Sequence, residues 1–572
     1  MPPALAFLSR SFSAARAGGD SRWALRFGWG LLVLLHFAAF AMLAWSEVDL
    51  AARVAFILAW ALVNLAVIAI LRRPLPAAAL TLVLFTLIVL LSRFKHGVLL
   101  MTVNFLDVMI IDSDTVSFLL TVFPNLWSMV LLAAALVVPA IGLLWWFDPF
   151  RVRAKMALAG AVVSFALLCA LSLGVPSDLY EEFADTNYIS KFARSGVTGT
   201  VDLFTRGYLE SDETVAERLS AVADATCQTA RKPPHIVMVF DESSFDITRV
   251  PGVKVAANYQ DHFRSFDGKS RTFLVEGAGG PSWYTEYNVL TGLSVRSFGR
   301  FADFVTRIAA GRVERGLPAS LKRCGYKTFS LYPMWGAFAG ARQFQQTTGI
   351  ERFLDSKDLG TRSIEPDAFY YDNAVKVMTR EKGDKPLFMF VYTAANHFPW
   401  TYRFHGERTP DWKPAGNAPE VDEYLRRQQM SAVDYKAFVE RLKKELPGEP
   451  ILIVRFGDHQ PSFAKHMVDP ALDDTVLARR IAEADPRFLA TYYAIEGINF
   501  KPASLSSALD TLDAPYLPIV VMEAAGLPLD PSFAEQKRVM KRCNGLFYRC
   551  AAGGEAKRFN RLLIEAGLIK RL

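Results

Sequence analysis

Long apolar runs separated by short charged joints occupy the first third of the chain, and short apolar runs alternating with amphipathic segments occupy the rest. The long runs are Trp23–Trp45, Ala51–Leu71, Ala77–Leu91, Leu126–Phe147 and Met156–Leu173. Most approach the roughly 20 residues that a helix needs to cross a hydrocarbon core ~30 Å thick. The third run is short but continues into Pro76 and Ser92. A single such run fits the buried helix of a large soluble protein, but five in succession leave no polar faces for water. The pattern therefore predicts about five membrane spans over residues 1–175, a polar helical connector over 176–229 and a soluble domain over 230–572.

The charged joints orient the spans, because basic loops stay on the cytoplasmic side. Arg10, Arg16 and Arg22 precede the first run, Arg72 and Arg73 follow the second, and Arg151, Arg153 and Lys155 follow the fourth. With five spans these three clusters share one side. Glu47, Asp49, Arg93, Lys95 and the acidic run Asp178–Asp185 fall on the other. The soluble domain is expected outside the cytoplasm. A sixth stretch, Gly97–Phe123, is broken by Asp107, Asp112 and Asp114, and carboxylates in hydrocarbon are costly unless paired or wet. It reads as an interfacial or re-entrant element on the outer side, with a plain packing helix as the alternative. The first run is too long for a cleaved signal core and reads as an uncleaved start helix.

Beyond the membrane region, Ser211–Ala225 reads as a Ser-capped helix with acids in its first turns. Pro233 and Pro234 stop it, and His235–Phe240 reads as a buried strand. Further strands are expected at Lys327–Tyr332, Pro386–Thr393 and Ile451–Phe456, with helices at Leu317–Tyr326 and Ser431–Leu446. The segment LPIVVMEAAGLP reads as a helix or a strand–turn unit. Continuous apolar strands alternating with helices predict a mostly parallel sheet covered on both faces. Its functional groups belong beyond the C-terminal ends of the strands.

Composition narrows the classes. Apolar residues make up 52% of the chain and the net charge is only +7, which excludes a disordered chain. No dense basic run or basic–aromatic stripe marks a nucleic-acid partner. Five Cys exclude a disulfide-dense scaffold. Cys543 and Cys550 bracket six residues and can form a local disulfide if the domain is external, whereas Cys227 and Cys324 pair only if the fold brings them together. Cys169 lies in a membrane run.

Three expected strand ends carry reactive groups. Asp241 and Glu242 follow the first, Asn396 and His397 another, and Asp458 and His459 a third. Glu242, Asp458 and His459 supply hard oxygens and a borderline nitrogen, a set suited to Zn²⁺ with Mn²⁺ also possible. Ser282 follows Gly279, Gly280 and Pro281 and precedes a helix-like segment. There it can present its oxygen to a metal and to phosphate, the helix start favouring an anion. A simple Ser helix cap is the plain alternative.

Taken together, these motifs resemble the alkaline-phosphatase-like, sulfatase-related membrane transferases, which include lipoteichoic-acid synthase and the phosphoglycerol and phosphoethanolamine transferases. The resemblance covers nearly the whole chain and is best over His235–Pro461. It implies a metal-binding Glu at Glu242, which is followed by Ser243, and a hydroxyl nucleophile at Ser282, four residues before Glu286-Tyr287. It also implies metal ligands at Asp458 and His459 of the G-D-H motif, and a substrate-side His at His397 of the N-H-x-P-aromatic motif. The chain departs from the lipoteichoic-acid branch in offering Ser282 rather than Thr, in Pro281, and in lacking a His ahead of Trp335. Arg342 is carried over as a phosphate clamp, and His466 is placed in a further phosphate-side role.

The implied activity is metal-dependent transfer of a phosphoglycerol head group from phosphatidylglycerol, an anionic phospholipid, to a hydroxyl of an envelope glycan or glycolipid through a seryl intermediate. The setting is the bilayer of a bacterial inner membrane, with catalysis on the periplasmic or extracellular side. Three alternatives stay open: phosphoethanolamine transfer, a phosphodiesterase or sulfatase-like hydrolase, and a non-enzymatic envelope scaffold. Phosphoethanolamine transfer is disfavoured by the Cys-poor domain, and sulfate chemistry by the absence of a matching Pro or Arg after Ser282.

Overall fold

The computed structural model describes residues 21–108, 116, 119–120, 123, 125–212, 214–219, 227 and 232–570. The chain divides into two compact units. Among the described residues five helices are long and apolar enough to cross a membrane: Trp23–Ser46, Leu50–Leu71, Pro74–Leu99, Leu126–Phe147 and Ala154–Gly174, all in the first unit but for the last residues of the third. The third is longer than the apolar run that predicts it. Pro74 and Pro76 are tolerated in its first turn, where backbone N–H groups lack helical partners anyway. At its far end the charges are accommodated, Lys95 pairing with Asp107 at 2.9 Å and Arg93 lying over the Trp45 ring.

The joints between these helices gather at two ends. At one end Val152 N donates to Arg72 O at 3.2 Å, Leu75 N donates to Asp148 Oδ2 at 2.9 Å, and Arg73 donates to the Asp148 carbonyl. At the other end Asn187 bridges the first joint, accepting from Val48 N at 2.8 Å and donating to Asp49 Oδ2 at 2.9 Å. Ser190 Oγ donates to the buried Glu47 there, and Thr102 N donates to Glu182 O. The Arg72–Arg73 joint thus shares an end with the joint that leads to Arg151, opposite Glu47 and Asp49. Of the sixth stretch, Asp107 lies in a short helix, Phe105–Val108. Asp112 and Asp114, like Arg10 and Arg16, lie outside the described residues.

The second unit is built on an eight-stranded sheet in the order β4-β3-β5-β1-β6-β7-β2-β8. The strands are β1 His235–Asp241, β2 Arg271–Leu274, β3 Lys327–Leu331, β4 Arg352–Leu354, β5 Leu387–Tyr392, β6 Ile451–Gly457, β7 Ala490–Ile498 and β8 Thr511–Asp513. β1 pairs in parallel with β5 and β6, and β3 pairs in parallel with β5 and β4. β7 is antiparallel to both β6 and β2, so it alone runs against the rest. Every residue of β1, β5 and β6 is buried, as strands this rich in apolar residues require, and the charged Arg455 of β6 is buried with them. On one face Val237, Met389 and Ile453 pack against Tyr370 and Met378 of helix Asp367–Glu381, and against Phe438 and Leu442 of helix Pro419–Glu445.

LPIVVMEA forms a helix, Leu517–Ala524. The helix expected over Ser211–Ala225 is absent from its described residues 211–212 and 214–219. Their backbone and side chains are engaged elsewhere: Asp212 N donates to Lys557 O, and Glu217 pairs with Arg558 of helix Gly554–Glu565. Tertiary pairing overrides a weak local propensity. Cys543–Cys550 and Cys227–Cys324 both form disulfides, and Cys169 is free.

Candidate active site

The C-terminal ends of β1 and β6 lie side by side, Asp241 in register with Gly457. Gly457 lets the strands' following loops approach closely, since a Cβ there would lie 1.8 Å from the Ser244 carbonyl oxygen. Just beyond, Ser243 N and His459 N both donate to Asp458 Oδ1, at 2.7 and 2.8 Å. Ser243 holds a left-handed backbone (φ 50°), uncommon for a residue with a side chain, and its Oγ donates to Glu242 Oε1 at 2.9 Å. Successive residues at the end of β1 part company: Glu242 joins this cluster, while Asp241 bonds to Tyr492 and His262.

Ser282 opens helix Ser282–Thr291, after a loop turned by Gly279 at φ +84°. Thr285, on the first turn, donates from Oγ1 to Asp458 O at 2.6 Å and so fixes the helix to the β6 loop. Ser282 Oγ consequently lies 3.1 Å from His459 Nε2 and 3.3 Å from Glu242 Oε2. His459 Nδ1 donates to Gln460 O at 3.0 Å, which puts the ring proton on Nδ1 and leaves a lone pair on Nε2. That lone pair lies 3.2 Å from Asp458 Oδ2 and 3.5 Å from Glu242 Oε1.

Electron pairs therefore face one another at the centre of the cluster. Asp458 Oδ2 is buried without a hydrogen-bond partner. Burial raises the Asp458 carboxyl to about 7, and burial followed by the charge of Asp458 raises Glu242. Burial lowers His459 and His397, the Glu242 carboxylate opposing it in both. Glu242, Asp458 and His459 each offer one donor atom within 4.8 Å of the others. Two oxygens and a nitrogen lone pair converging without a proton between them fit a divalent cation.

His397 belongs to the same neighbourhood, coupled electrostatically to Glu242 and His459. Its Nδ1 donates to Phe398 O at 2.7 Å, which leaves Nε2 as the basic nitrogen. Arg342 does not join this group. Its guanidinium donates to Asp355 Oδ2 at 2.6 Å, Asp358 Oδ2 at 3.3 Å and Phe353 O at 3.0 Å, so the expected phosphate clamp serves the protein's own carboxylates. His466 is more than half exposed on the short helix Lys465–Val468 and faces Asp474 at 4.0 Å. Neither position was separable from the cluster by sequence spacing.

Sequence reasoning overlooked Tyr392, the last residue of β5, whose hydroxyl donates to Glu242 Oε2 at 3.3 Å. It is hidden in an apolar strand, and only its place at the strand end could have flagged it. Two buried donors without partners flank the reactive groups in sequence, Trp283 Nε1 and Asn396 Nδ2. Glu286, one turn after Ser282, is buried and accepts from Gln345 Nε2 at 2.9 Å.

Residues 279–480 match the family model described as Sulfatase, a stretch that carries Ser282, His397, Asp458 and His459. The chain is thus an apolar helical region followed by an α/β sheet domain, and the part of that domain over residues 279–480 is similar to the Sulfatase family. Among curated proteins the chain is 29% identical over 208 residues to the capsular polysaccharide biosynthesis protein RkpI of Rhizobium meliloti (strain 1021), covering 34% of this chain and 36% of that protein. It is 23% identical over 239 residues to the putative cyclic beta-1,2-glucan modification protein of the same organism, covering 41% of this chain and 36% of that protein. The matched part spans about a third of the length of these relatives. Among solved structures, Streptococcus pyogenes phosphoglycerol transferase GacH in complex with sn-glycerol-1-phosphate is similar, at 17% identity and a TM-score of 0.43, covering 61% of this chain and 86% of that one.

Proposed function

We propose that this chain transfers a phosphoglycerol head group from phosphatidylglycerol to a hydroxyl of an envelope glycan, on the external face of a bacterial inner membrane. The observation that carries the reading is Ser282 Oγ within hydrogen-bond reach of both Glu242 and His459 at a helix start. The two curated relatives support a glycan acceptor, since their names concern a capsular polysaccharide and a cyclic glucan. The five apolar helices support a lipid donor, which can be used without leaving the bilayer.

Glu242, Asp458 and His459 would hold a divalent cation, Zn²⁺ or Mn²⁺. When bound, such a cation lowers a hydroxyl pKa and offsets negative charge on phosphate. Ser282 Oγ attacks the phosphorus of the donor, its proton passing to a neighbouring base, and diacylglycerol leaves with its oxygen protonated. The acceptor hydroxyl then attacks the seryl phosphodiester and regenerates Ser282. His397 enters with a proton on Nε2, gives it to the leaving oxygen in the first half and takes one back from the acceptor hydroxyl in the second. The helix start contributes partial positive charge to the phosphate oxygens. Arg342 and His466 are not assigned to these steps.

The test is incubation of the purified full chain in lipid with head-group-labelled phosphatidylglycerol and a glucan acceptor. Label on the glucan with release of diacylglycerol is expected. Release of label only into water would make the chain a hydrolase, and transfer only from phosphatidylethanolamine would replace the donor.

A further inference from the structure

A second concave site lies in the same unit, lined by residues outside the Glu242 cluster. It is a cavity of about 620 Å³, within the ~300–1,000 Å³ range of small-ligand sites. Its wall includes His262, the residue that bonds to Asp241, and its floor includes Gln428. Gln428 Nε2 donates to Ser244 Oγ at 2.9 Å and to Tyr424 Oη at 3.0 Å. Tyr424 Oη donates in turn to Ser243 O at 2.9 Å, and Ser243 N to Asp458 Oδ1. A chain of hydrogen bonds therefore links the lining residue Gln428, through Tyr424 and Ser243, to Asp458 of the cluster.

The lining selects a ligand class. Asp261, Asp411 and Asp434 are matched in number by Arg408, Lys413 and Lys436. Arg408 and Asp434 also bond to each other twice, at 2.6 and 3.0 Å. The cavity has no net field to draw a phosphate or a phospholipid head group. It has instead three aromatic rings, Tyr259, Phe263 and Trp412. The Tyr259 hydroxyl donates to Phe245 O at 3.1 Å, which holds its ring in place. Rigid rings beside amides and paired charges suit a ligand with apolar C–H faces and many neutral hydroxyls.

We propose that this cavity binds neutral sugar units of a glycan and anchors a polymeric acceptor to the domain that carries Ser282. The choice of glycan rests on the acceptor reading above, but binding here needs neither Ser282 nor a metal. Anchoring raises the effective concentration of acceptor hydroxyls at the reactive cluster.

The experiment is calorimetric titration of the full chain in lipid nanodiscs with a neutral β-linked glucose hexasaccharide, run on wild type, Ser282→Ala, Trp412→Ala and Gln429→Ala. Gln429 is an exposed lining residue and so tests the site without disturbing the core. Wild type and Ser282→Ala should bind alike, and each lining variant should bind at least tenfold more weakly. In transfer assays the lining variants should raise KM for long glucans while leaving kcat unchanged, and should leave a monosaccharide acceptor unaffected. No saturable binding by wild type, unaltered binding by both lining variants, or displacement of the sugar by inorganic phosphate would overturn the proposal. Sugar binding by a protein that transfers no head group would sustain the cavity and overturn the catalytic reading alone.

Discussion

Ser282 and His459 stand 177 positions apart in the chain, yet Ser282 Oγ and His459 Nε2 are 3.1 Å apart. Thr285, bonded to the Asp458 carbonyl, holds that spacing from one turn further along the helix. Ser282→Ala should lower head-group transfer on the order of a thousandfold or more, with the fold retained, as expected for loss of a covalent nucleophile. Ser282→Thr keeps the hydroxyl and should retain part of the activity. Under trapping conditions the wild-type peptide containing Ser282 should gain about 154 Da, the mass of glycerol phosphate less water. An adduct on another residue, read by peptide mass spectrometry, would remove Ser282 from its role.

Asp458 Oδ2, buried without a hydrogen-bond partner, is the group most dependent on a cation. Asp458→Asn and Glu242→Gln should leave secondary structure intact and lower bound metal from about one equivalent to a small fraction, since each removes an anionic ligand of the same shape. Elemental analysis of the purified variants checks this, and unchanged stoichiometry would reject the ligand set. Chelation of the wild type should abolish transfer, and added Zn²⁺ or Mn²⁺ should restore it.

Glu286 gives a pH signature independent of metal. Burial lifts its carboxyl to about 8, with the hydrogen bond from Gln345 opposing the rise. An unfolded Glu titrates near ~4.3. Between these values the folded chain keeps a proton that the unfolded chain has released, so this residue makes stability fall as pH rises. Glu286→Gln removes the dependence while keeping an acceptor for Gln345. Its Tm should match that of wild type near ~pH 4 and exceed it increasingly towards ~pH 8. Parallel Tm curves, followed by circular dichroism in detergent, would count against a protonated Glu286.

The two sets of joints in the helical unit predict a topology. Arg72–Arg73 shares an end with the joint after Leu126–Phe147, and Glu47 shares the opposite end with Ser190. Alkaline-phosphatase fusions at Asp178 should be active and fusions at Pro74 inactive. The reverse pattern would place the sheet domain in the cytoplasm and remove the lipid-donor reading with it.

The sequence by itself determined the five apolar helices, the three central strands and the carboxylate and imidazole residues that follow them. These are local consequences: hydropathy sets which backbone must be buried, and an unbroken apolar run as short as Leu387–Tyr392 fits a covered strand. Only tertiary structure decided what adjacent residues do. It sent Glu242 to Ser282 and Asp241 to His262, because neighbouring side chains at a strand end point apart. It paired Cys227 with Cys324 across 97 positions and reversed β7 between two strands of the opposite direction. It also gave Arg342 to Asp355 and Glu217 to Arg558. Ion pairs and strand partners depend on which surfaces meet after the chain has folded, and a charge carries no record of its partner in the residues beside it.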